Sequence, residues 1–173
     1  MGRITGANRG ITRQMTINDR SSTEPASAPR AVILLRVAIA FVFITEGIQK
    51  FTSPEALGAG RFAKIGIPAP EVMAPFVGGV EIVGGALVLI GLLTRLSALA
   101  LVIDMIVAIV ATKLPILLGH GVWRFADPTG HTGFWAMAHE ARTDISMLLG
   151  CALLVAIGPG SMSLDAHRSR RPT

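Results

Sequence analysis

The chain contains four long apolar segments, and their length decides which fold classes are open to it. They cover residues 31–51, 72–93, 96–114 and 139–158 approximately. About 20 helical residues cross about 30 Å of hydrocarbon, and each segment comes close to that length. A soluble four-helix bundle would show polar stripes at helical spacing, and residues 32–35, 86–93 and 106–111 show none. The pattern predicts an all-α, integral membrane four-helix bundle.

Composition supports this prediction. Of the 173 residues, 51% are hydrophobic and 16% are charged, and the mean hydropathy is +0.58. An ordinary soluble domain has about 25% charged residues, so this chain lacks the charge needed to cover a water-facing surface. These values exclude an ordinary soluble enzyme, and the presence of a single cysteine, Cys151, excludes a disulfide scaffold.

The two ends of the chain differ from its middle. Residues 1–30 contain five arginines and few apolar residues, which predicts a disordered basic arm before a membrane domain over residues 31–165. Residues 166–173 form a basic tail. A cleaved secretory signal is the alternative for the start, but Arg36 and the length of the first apolar segment argue against it.

Basic residues also bear on topology and on partners. An even number of spans places both termini on one side, and the excess of arginine in the arm, the tail and the short turn near Arg95 predicts that this side is the cytoplasm. The net charge of +5 could suggest nucleic acid binding. Because the arginines flank membrane segments without interleaved aromatic residues, we predict attraction to anionic lipid and no nucleic acid partner.

Three of the ionisable residues in the apolar segments can form one inner cluster. At 1.5 Å per residue, Glu81 and Asp104 are each roughly 12–15 Å from the helix ends, and the Arg36 side chain can reach toward them. A charge at such a depth costs about 2.5–3.5 kcal/mol unless it faces protein or water. We therefore predict an intramembrane polar cluster of Arg36, Glu81 and Asp104.

A second polar cluster is predicted at the outer end of the helices. Its members, which follow one another at helical spacing on the first and fourth segments, are Glu46, Lys50, His139, Glu140, Arg142 and Asp144. Two interpretations stay open for both clusters. They are either structural ion pairs that fix helix register or a site for a proton, a quinone or a solute.

A metal site in the outer loop is a weaker hypothesis. The residues that could bind a metal there are His120, Asp127, His131, His139 and Glu140. They lack the His-x-x-His and His-Glu-x-x-His spacings of known sites, so we predict no metal. The single Cys151 likewise excludes a dithiol mechanism within the chain.

Several short motifs occur in a fixed order along the membrane domain. They are Leu35-Arg36, Gly47-x-x-Lys50, Phe62-Ala63, Gly66-Ile67-Pro68, Glu81-x-x-Gly84-Gly85, Gly91-Leu92-Leu93-Thr94-Arg95 and Gly158-Pro159-Gly160 with Ser163-Leu164-Asp165. In this order and spacing, residues 31–165 resemble the DoxX family of small four-helix bacterial membrane proteins. The resemblance implies a multi-pass protein of the bacterial inner membrane. It supplies no catalytic residue.

The resemblance also suggests a role. Some members of the family look like membrane subunits of thiosulfate:quinone oxidoreductases, and others are linked with thiol redox partners. The first hypothesis is therefore a subunit or anchor of a quinone- or thiol-linked redox complex. In it, Glu81 and Asp104 handle protons, Arg36 hydrogen-bonds a quinone oxygen, and the cofactor is a bound quinone.

Two other classes of function stay open. The same midplane residues, Glu81 and Asp104, could serve a small-solute or proton carrier, and the chain could instead be a non-enzymatic assembly or interaction protein. Expected partners are the lipid membrane, redox-complex subunits and further copies of the chain. Whether the protein is an enzyme is not decided by its sequence.

Overall fold

The computed structural model describes residues 30–169, and all regular structure in this range is helical. In chain order the elements are α1 (Val32–Thr52), α2 (Pro54–Leu57), α3 (Ala59–Ile65), α4 (Pro70–Ile90), α5 (Thr94–Ala108), a π-helical segment (Ile109–Lys113), α6 (Leu114–Leu118), α7 (Phe134–Ile157) and α8 (Leu164–Ser169). The all-α prediction is confirmed for these residues. The predicted arm, apart from Arg30, and the last four residues of the predicted tail lie outside the described residues.

Three helical stretches in the described range are long and apolar enough to cross a membrane. They are α1, α4 and the continuous run of α5, the π-helical segment and α6 over Thr94–Leu118. α7 has 24 residues, but Glu140, Arg142 and Asp144 lie in its first half and it does not qualify by composition. The chain is a membrane protein with these three candidate spans, and the fourth span stays a prediction.

Exposure in the three spans is the reverse of that in a soluble bundle. Only 33%, 33% and 28% of their most apolar windows are buried inside the protein. The largest exposed side chains include Leu34, Phe41, Leu96 and Leu149, all on the long helices. A soluble monomer does not present so much apolar surface, so these faces are suited to lipid.

The long helices form an open ring. α1 packs along α4, α4 contacts α5, and α5 packs along α7, whereas α1 and α7 touch each other only sparsely. The core lies among these helices, and its fully buried members include Ile39, Phe43, Val88, Leu101 and Leu154. We call the end that carries the α4–α5 turn the turn end. The opposite end, with α2, α3 and the segment of residues 119–133, is the loop end.

Two predicted boundaries are corrected by the structure. The third segment is predicted to end at residue 114, but the helix continues to Leu118 because Pro115 lies in the first turn of α6, where its missing N–H costs little. The fourth helix begins at Phe134, directly after Gly133 with its positive φ of 101°, and not at residue 139. The first turns of α7 are therefore helical although they contain several charged residues.

Candidate functional site

Arg36 is buried at the turn end and does not contact Glu81 or Asp104. Its guanidinium donates from Nε to the Val88 carbonyl oxygen at 2.8 Å and from Nη2 to that of Leu89. Nη1 donates to the carbonyl oxygens of Pro159 at 3.2 Å and Met162 at 2.8 Å. The last carbonyls of a helix lack intrahelical partners and favour a cation, so Arg36 caps α4. The predicted grouping of Arg36 with the two buried acids is wrong.

Asp165 completes the turn end. Its Oδ1 accepts from the Leu93 N–H at 2.9 Å, and its Oδ2 accepts from the Thr94 N–H and hydroxyl, each at 3.0 Å. Partial burial raises the pKa of this carboxyl. The hydrogen bonds from Thr94 and Leu93 and the charge of Arg168 lower the pKa by more than burial raises it, so the net shift is downward. Asp165 thus caps the start of α5 from a distant part of the chain.

Two glycines bring Lys50 and Glu81 together in the middle of the bundle. A Cβ on Gly47 of α1 would lie 2.7 Å from the Gly78 carbonyl oxygen of α4, so no larger residue fits there. This close approach allows the Lys50 Nζ to donate to Glu81 Oε2 at 2.6 Å, with both side chains about nine-tenths buried or more. Lys50 was predicted in the outer cluster, and the structure places it with Glu81 of the inner one.

Asp104 of α5 faces the same space as Lys50 and Glu81. Its Oδ2 is buried and has no hydrogen-bond partner among residues 30–169. A buried, unsatisfied carboxylate oxygen is costly and calls for an explanation, such as a ligand or a bound proton.

The π-helical segment places a further cation near these groups. Lys113, its last residue, is buried, and its Nζ lies 3.4 Å from Asp144 Oδ2 and 3.9 Å from Glu140 Oε2 on α7. π-Helical turns are rare and occur often at functional sites. Sequence reasoning missed Lys113 as a site residue. The available signal was a lysine within an apolar segment, which was attributed to a helix end.

These groups surround a cavity of about 490 Å³ in the half of the bundle toward the loop end. Its charged lining residues are Glu46, Lys50, Arg61, Glu81, Asp104, Lys113 and Asp144. Most other lining side chains are apolar, among them Val42, Phe43, Val77, Met105 and Met147. The cavity therefore combines members of both predicted clusters, which the sequence had separated.

A cover at the loop end closes one side of the cavity. It consists of α3, with Phe62 and Ile65 facing the cavity, and of Phe125 from the long loop. The Ala126 N–H donates to the Ile65 carbonyl oxygen at 2.8 Å and ties the loop to α3. A Cβ on Gly66, which has a φ of +90°, would lie 2.5 Å from the Arg124 carbonyl oxygen. This packing holds the two parts of the cover together.

The remaining members of the predicted outer cluster lie apart from the cavity. His139 and Arg142 are exposed on α7 and contact each other at 2.8 Å, and Glu140 contacts Lys113 only at 3.9 Å. His131, His139 and Glu140 line a second depression of about 510 Å³. Between residues 30 and 169, no group of three or more potential ligands is arranged to hold a metal.

His120 and Asp127, the other residues considered for a metal, contact the backbone of the long loop. The His120 Nδ1 lies 2.9 Å from the Gly121 carbonyl oxygen, and the Gly121 N–H donates to Asp127 Oδ1 at 2.7 Å. Both side chains thus stabilise the turn of the loop.

The fold and the cavity define a class of protein: a helical membrane protein with a charged pocket between its spans. Comparison with known sequences narrows this class to a family. The sequence profile of the DoxX family matches residues 31–114. The Mycobacterium tuberculosis protein named "Uncharacterized membrane protein Rv3486" is 53% identical over 148 residues, which are 86% of this chain and 87% of that relative. The chain belongs to the DoxX family.

Two more distant relatives add to this result. The Bacillus subtilis protein named "Putative oxidoreductase CatD" is 35% identical over 82 residues, 47% of this chain and 59% of the relative. The Escherichia coli "Inner membrane protein YphA" is 28% identical over 147 residues, 81% of this chain and 91% of the relative. No solved structure matches the chain significantly.

Proposed function

We propose that this protein is the membrane component of a redox system and that its cavity binds the head group of a quinone. The observation that carries the proposal is the cavity of about 490 Å³, with apolar walls around Lys50, Glu81 and Asp104. Ligand sites typically have this size and combine apolar walls with a few convergent polar groups. The name of the Bacillus subtilis relative and the family resemblance support redox chemistry.

The polar groups fit both redox forms of a quinone. The oxidised form offers two carbonyl oxygens as acceptors, and the ammonium groups of Lys50 and Lys113 line the cavity as donors. The reduced form offers hydroxyl donors, and the buried Oδ2 of Asp104 is an acceptor without a partner in the described residues. The residues that would hold the head group are therefore Lys50, Asp104 and Lys113.

When bound, a quinone supplies a reaction that takes up two electrons and two protons. Glu81 and Asp104 would hold and transfer the protons, since both line the cavity away from the exposed surface. The chain has a single cysteine and therefore no dithiol. The electrons would come from a thiol- or sulfur-oxidising partner protein at the membrane.

We also infer a fourth span and a bacterial inner-membrane location with both termini in the cytoplasm. Support for the span comes from Arg36 near the start of α1, which binds carbonyls of Pro159 and Met162 just after α7. The three apolar spans carry the chain to the loop end, so α7 must return it to the turn end. The name of the Escherichia coli relative supports the inner membrane.

Binding of a decyl-tailed benzoquinone and of a decyl-tailed naphthoquinone to the full chain in nanodiscs tests the proposal. Calorimetry against empty nanodiscs should show saturable binding of at least one of them. Asp104→Asn should weaken it about 10-fold or more, because a charge-assisted hydrogen bond contributes about 1.5–3 kcal/mol. Glu71→Gln, an exposed residue in the first turn of α4, is the matched control and should bind normally.

The result that overturns the quinone site is binding that does not exceed partition into the empty nanodiscs. A carrier is the second candidate, because the same acids lie buried within the bundle. It would instead give solute or proton uptake into proteoliposomes that Glu81→Gln abolishes and Glu71→Gln does not. An assembly protein would show neither activity, and Glu81→Gln and Asp104→Asn would lower only its abundance.

A further inference from the structure

The cavity is closed toward the turn end, where α1 and α7 meet. A Cβ on Gly150 of α7 would lie 3.1 Å from Ile39 Cδ1 and 3.4 Å from Leu35 Cδ1, both on α1. The two helices run antiparallel, because the start of α1 and the residues after α7 share the Arg36 contacts. α1 otherwise packs along α4 and touches α7 only sparsely, from which we infer a gap between α1 and α7 beyond this contact.

The antiparallel register identifies the residues at the two edges of this gap. Three or four positions past the Ile39–Gly150 contact, Val42 of α1 comes opposite Met147 of α7. One turn further, Glu46 comes opposite Thr143. All four residues line the cavity, and Glu46 and Thr143 are exposed at the same time. A residue that both lines a cavity and is exposed marks an opening, so the cavity opens between α1 and α7. The exposed lining residues Arg61, Pro68 and Val107 mark further openings near α3 and α5.

The surface around this opening carries exposed apolar side chains beside the polar residues Arg142 and Ser146 of α7. Phe41 on α1, and Ile145 and Leu149 on α7, are exposed next to the lining residues. Phe62 and Phe125 cover the loop end in part, and the lining residues Arg61 and Pro68 are exposed there. The opening therefore lies on the flank of the bundle that is suited to hydrocarbon.

Glu46 places a carboxylate on this flank. Its side chain is exposed at the rim of the opening, and it forms no ion pair within the described part of the chain. A carboxylate facing hydrocarbon alone is costly, so its position favours a polar group or water at the opening. The rim is thus suited to the passage of a molecule that has a polar head.

We propose that the gap between α1 and α7 is a lateral portal and that the natural ligand is a lipid-soluble molecule with a long apolar tail. The head lies in the cavity near Lys50 and Asp104, and the tail leaves between Val42 and Met147 into the bilayer. The identity of the head group rests on the proposed quinone function. The route does not, because it is argued from the helix register and from the exposed residues that line the cavity.

A reversible cross-link tests the route. The chain has one cysteine, so a Cys151→Ala background allows the pair Val42→Cys and Met147→Cys to be joined by a short bis-methanethiosulfonate reagent. We expect association of the decyl-tailed quinone to slow at least 10-fold after cross-linking and to recover after reduction. The pair Leu35→Cys and Gly150→Cys joins the same helices where they are already in contact, and its cross-link should leave association unchanged.

Unchanged association with the Val42–Met147 cross-link in place would overturn the portal and place the route through the loop end. A second measurement does not depend on any quinone. A bimane label on Val42→Cys should be quenched by phospholipids that carry a nitroxide in the acyl chain, approaching the quenching of a label on Leu34→Cys, which is exposed on the same helix.

The two measurements separate the failure of the portal from the failure of the quinone site. Quenching without quinone binding would support the portal and contradict the proposed head group. A label on Val42→Cys that lipid does not quench would overturn the portal, whether the gap is closed or covered by a second copy of the chain. The quinone site would then still be tested by whether Asp104→Asn weakens quinone binding.

Discussion

Arg36 donates hydrogen bonds to carbonyl oxygens from two distant segments, the end of α4 and the residues after α7. A lysine has one nitrogen and cannot reach this set, so the site requires the fork of a guanidinium. Arg36→Lys should lower the apparent Tm in detergent, and Arg36→Met should lower it more. For Arg36→Met the loss in the free energy of unfolding should be at least about 2 kcal/mol. Arg95→Lys, an exposed arginine at the same end, should have little effect. Equal melting of all three variants would contradict the capping role.

Asp165 gives the turn end a dependence on pH. Its pKa is lowered in the folded protein, so the carboxylate stabilises the fold above the pKa of the unfolded chain, about 3.9. That stabilisation is lost as the pH falls through the lower, folded value. Asp165→Asn should reduce the Tm at pH 7, and the difference from the natural protein should shrink below about pH 4. A difference that grows on acidification would contradict this assignment.

Depth along a helix is available from sequence, but the direction of a side chain around the helix is not. Glu81 and Asp104 were therefore identified as candidates, since counting residues is enough to place them deep in the apolar segments. Arg36 was grouped with them because its partners are backbone carbonyls, which no residue type reveals. Lys113 was missed because its burial depends on a π-helical turn that has no sequence signal.

The helical elements differ in how far the sequence determines them. The long helices were predicted because about 20 apolar residues leave few alternatives, and their ends shifted by a few residues at Gly91 and Gly133. The short α2 and α3 were not predicted, since they are stabilised by packing over the cavity and not by their own length. The sequence therefore did not predict the segments that cover the cavity.

The π-helical segment makes a prediction about deletions. A π turn contains about one residue more than an α turn, so removal of Val110, which does not line the cavity, should restore a regular α-helix without rotating the residues beyond it. Removal of Ile103 from the regular part of α5 rotates every later residue by about 100° and should separate Lys113 from Asp144. Thermal melting should show a small loss for the first deletion and a large loss for the second. Similar losses would contradict this role of the segment.

At the scale of the whole molecule, the ring of helices is closed tightly at one end and opens at the other. Arg36, Gly91 and Asp165 join α1, α4, α5 and the segment after α7 at the turn end. A Cβ on Gly91 would lie 2.5 Å from Ser163 Cβ and 2.6 Å from the Arg36 Nη2, so this junction tolerates no larger residue. The cavity and its covering segments occupy the loop end. The rigid end thus holds the helices while the other end leaves room for a ligand.

The same arrangement predicts which parts of the chain share a side of the membrane. Because the start of α1 and the end of α7 meet at Arg36, a reporter fused after Thr173 should lie on the same side as the start of the membrane domain. The excess of arginine at these ends predicts that this side is the cytoplasm. Green fluorescent protein after Thr173 should therefore fluoresce and alkaline phosphatase there should be inactive, whereas phosphatase inserted at Gly130 should be active. Active phosphatase at both positions would show that α7 does not cross, and active phosphatase after Thr173 alone would reverse the orientation.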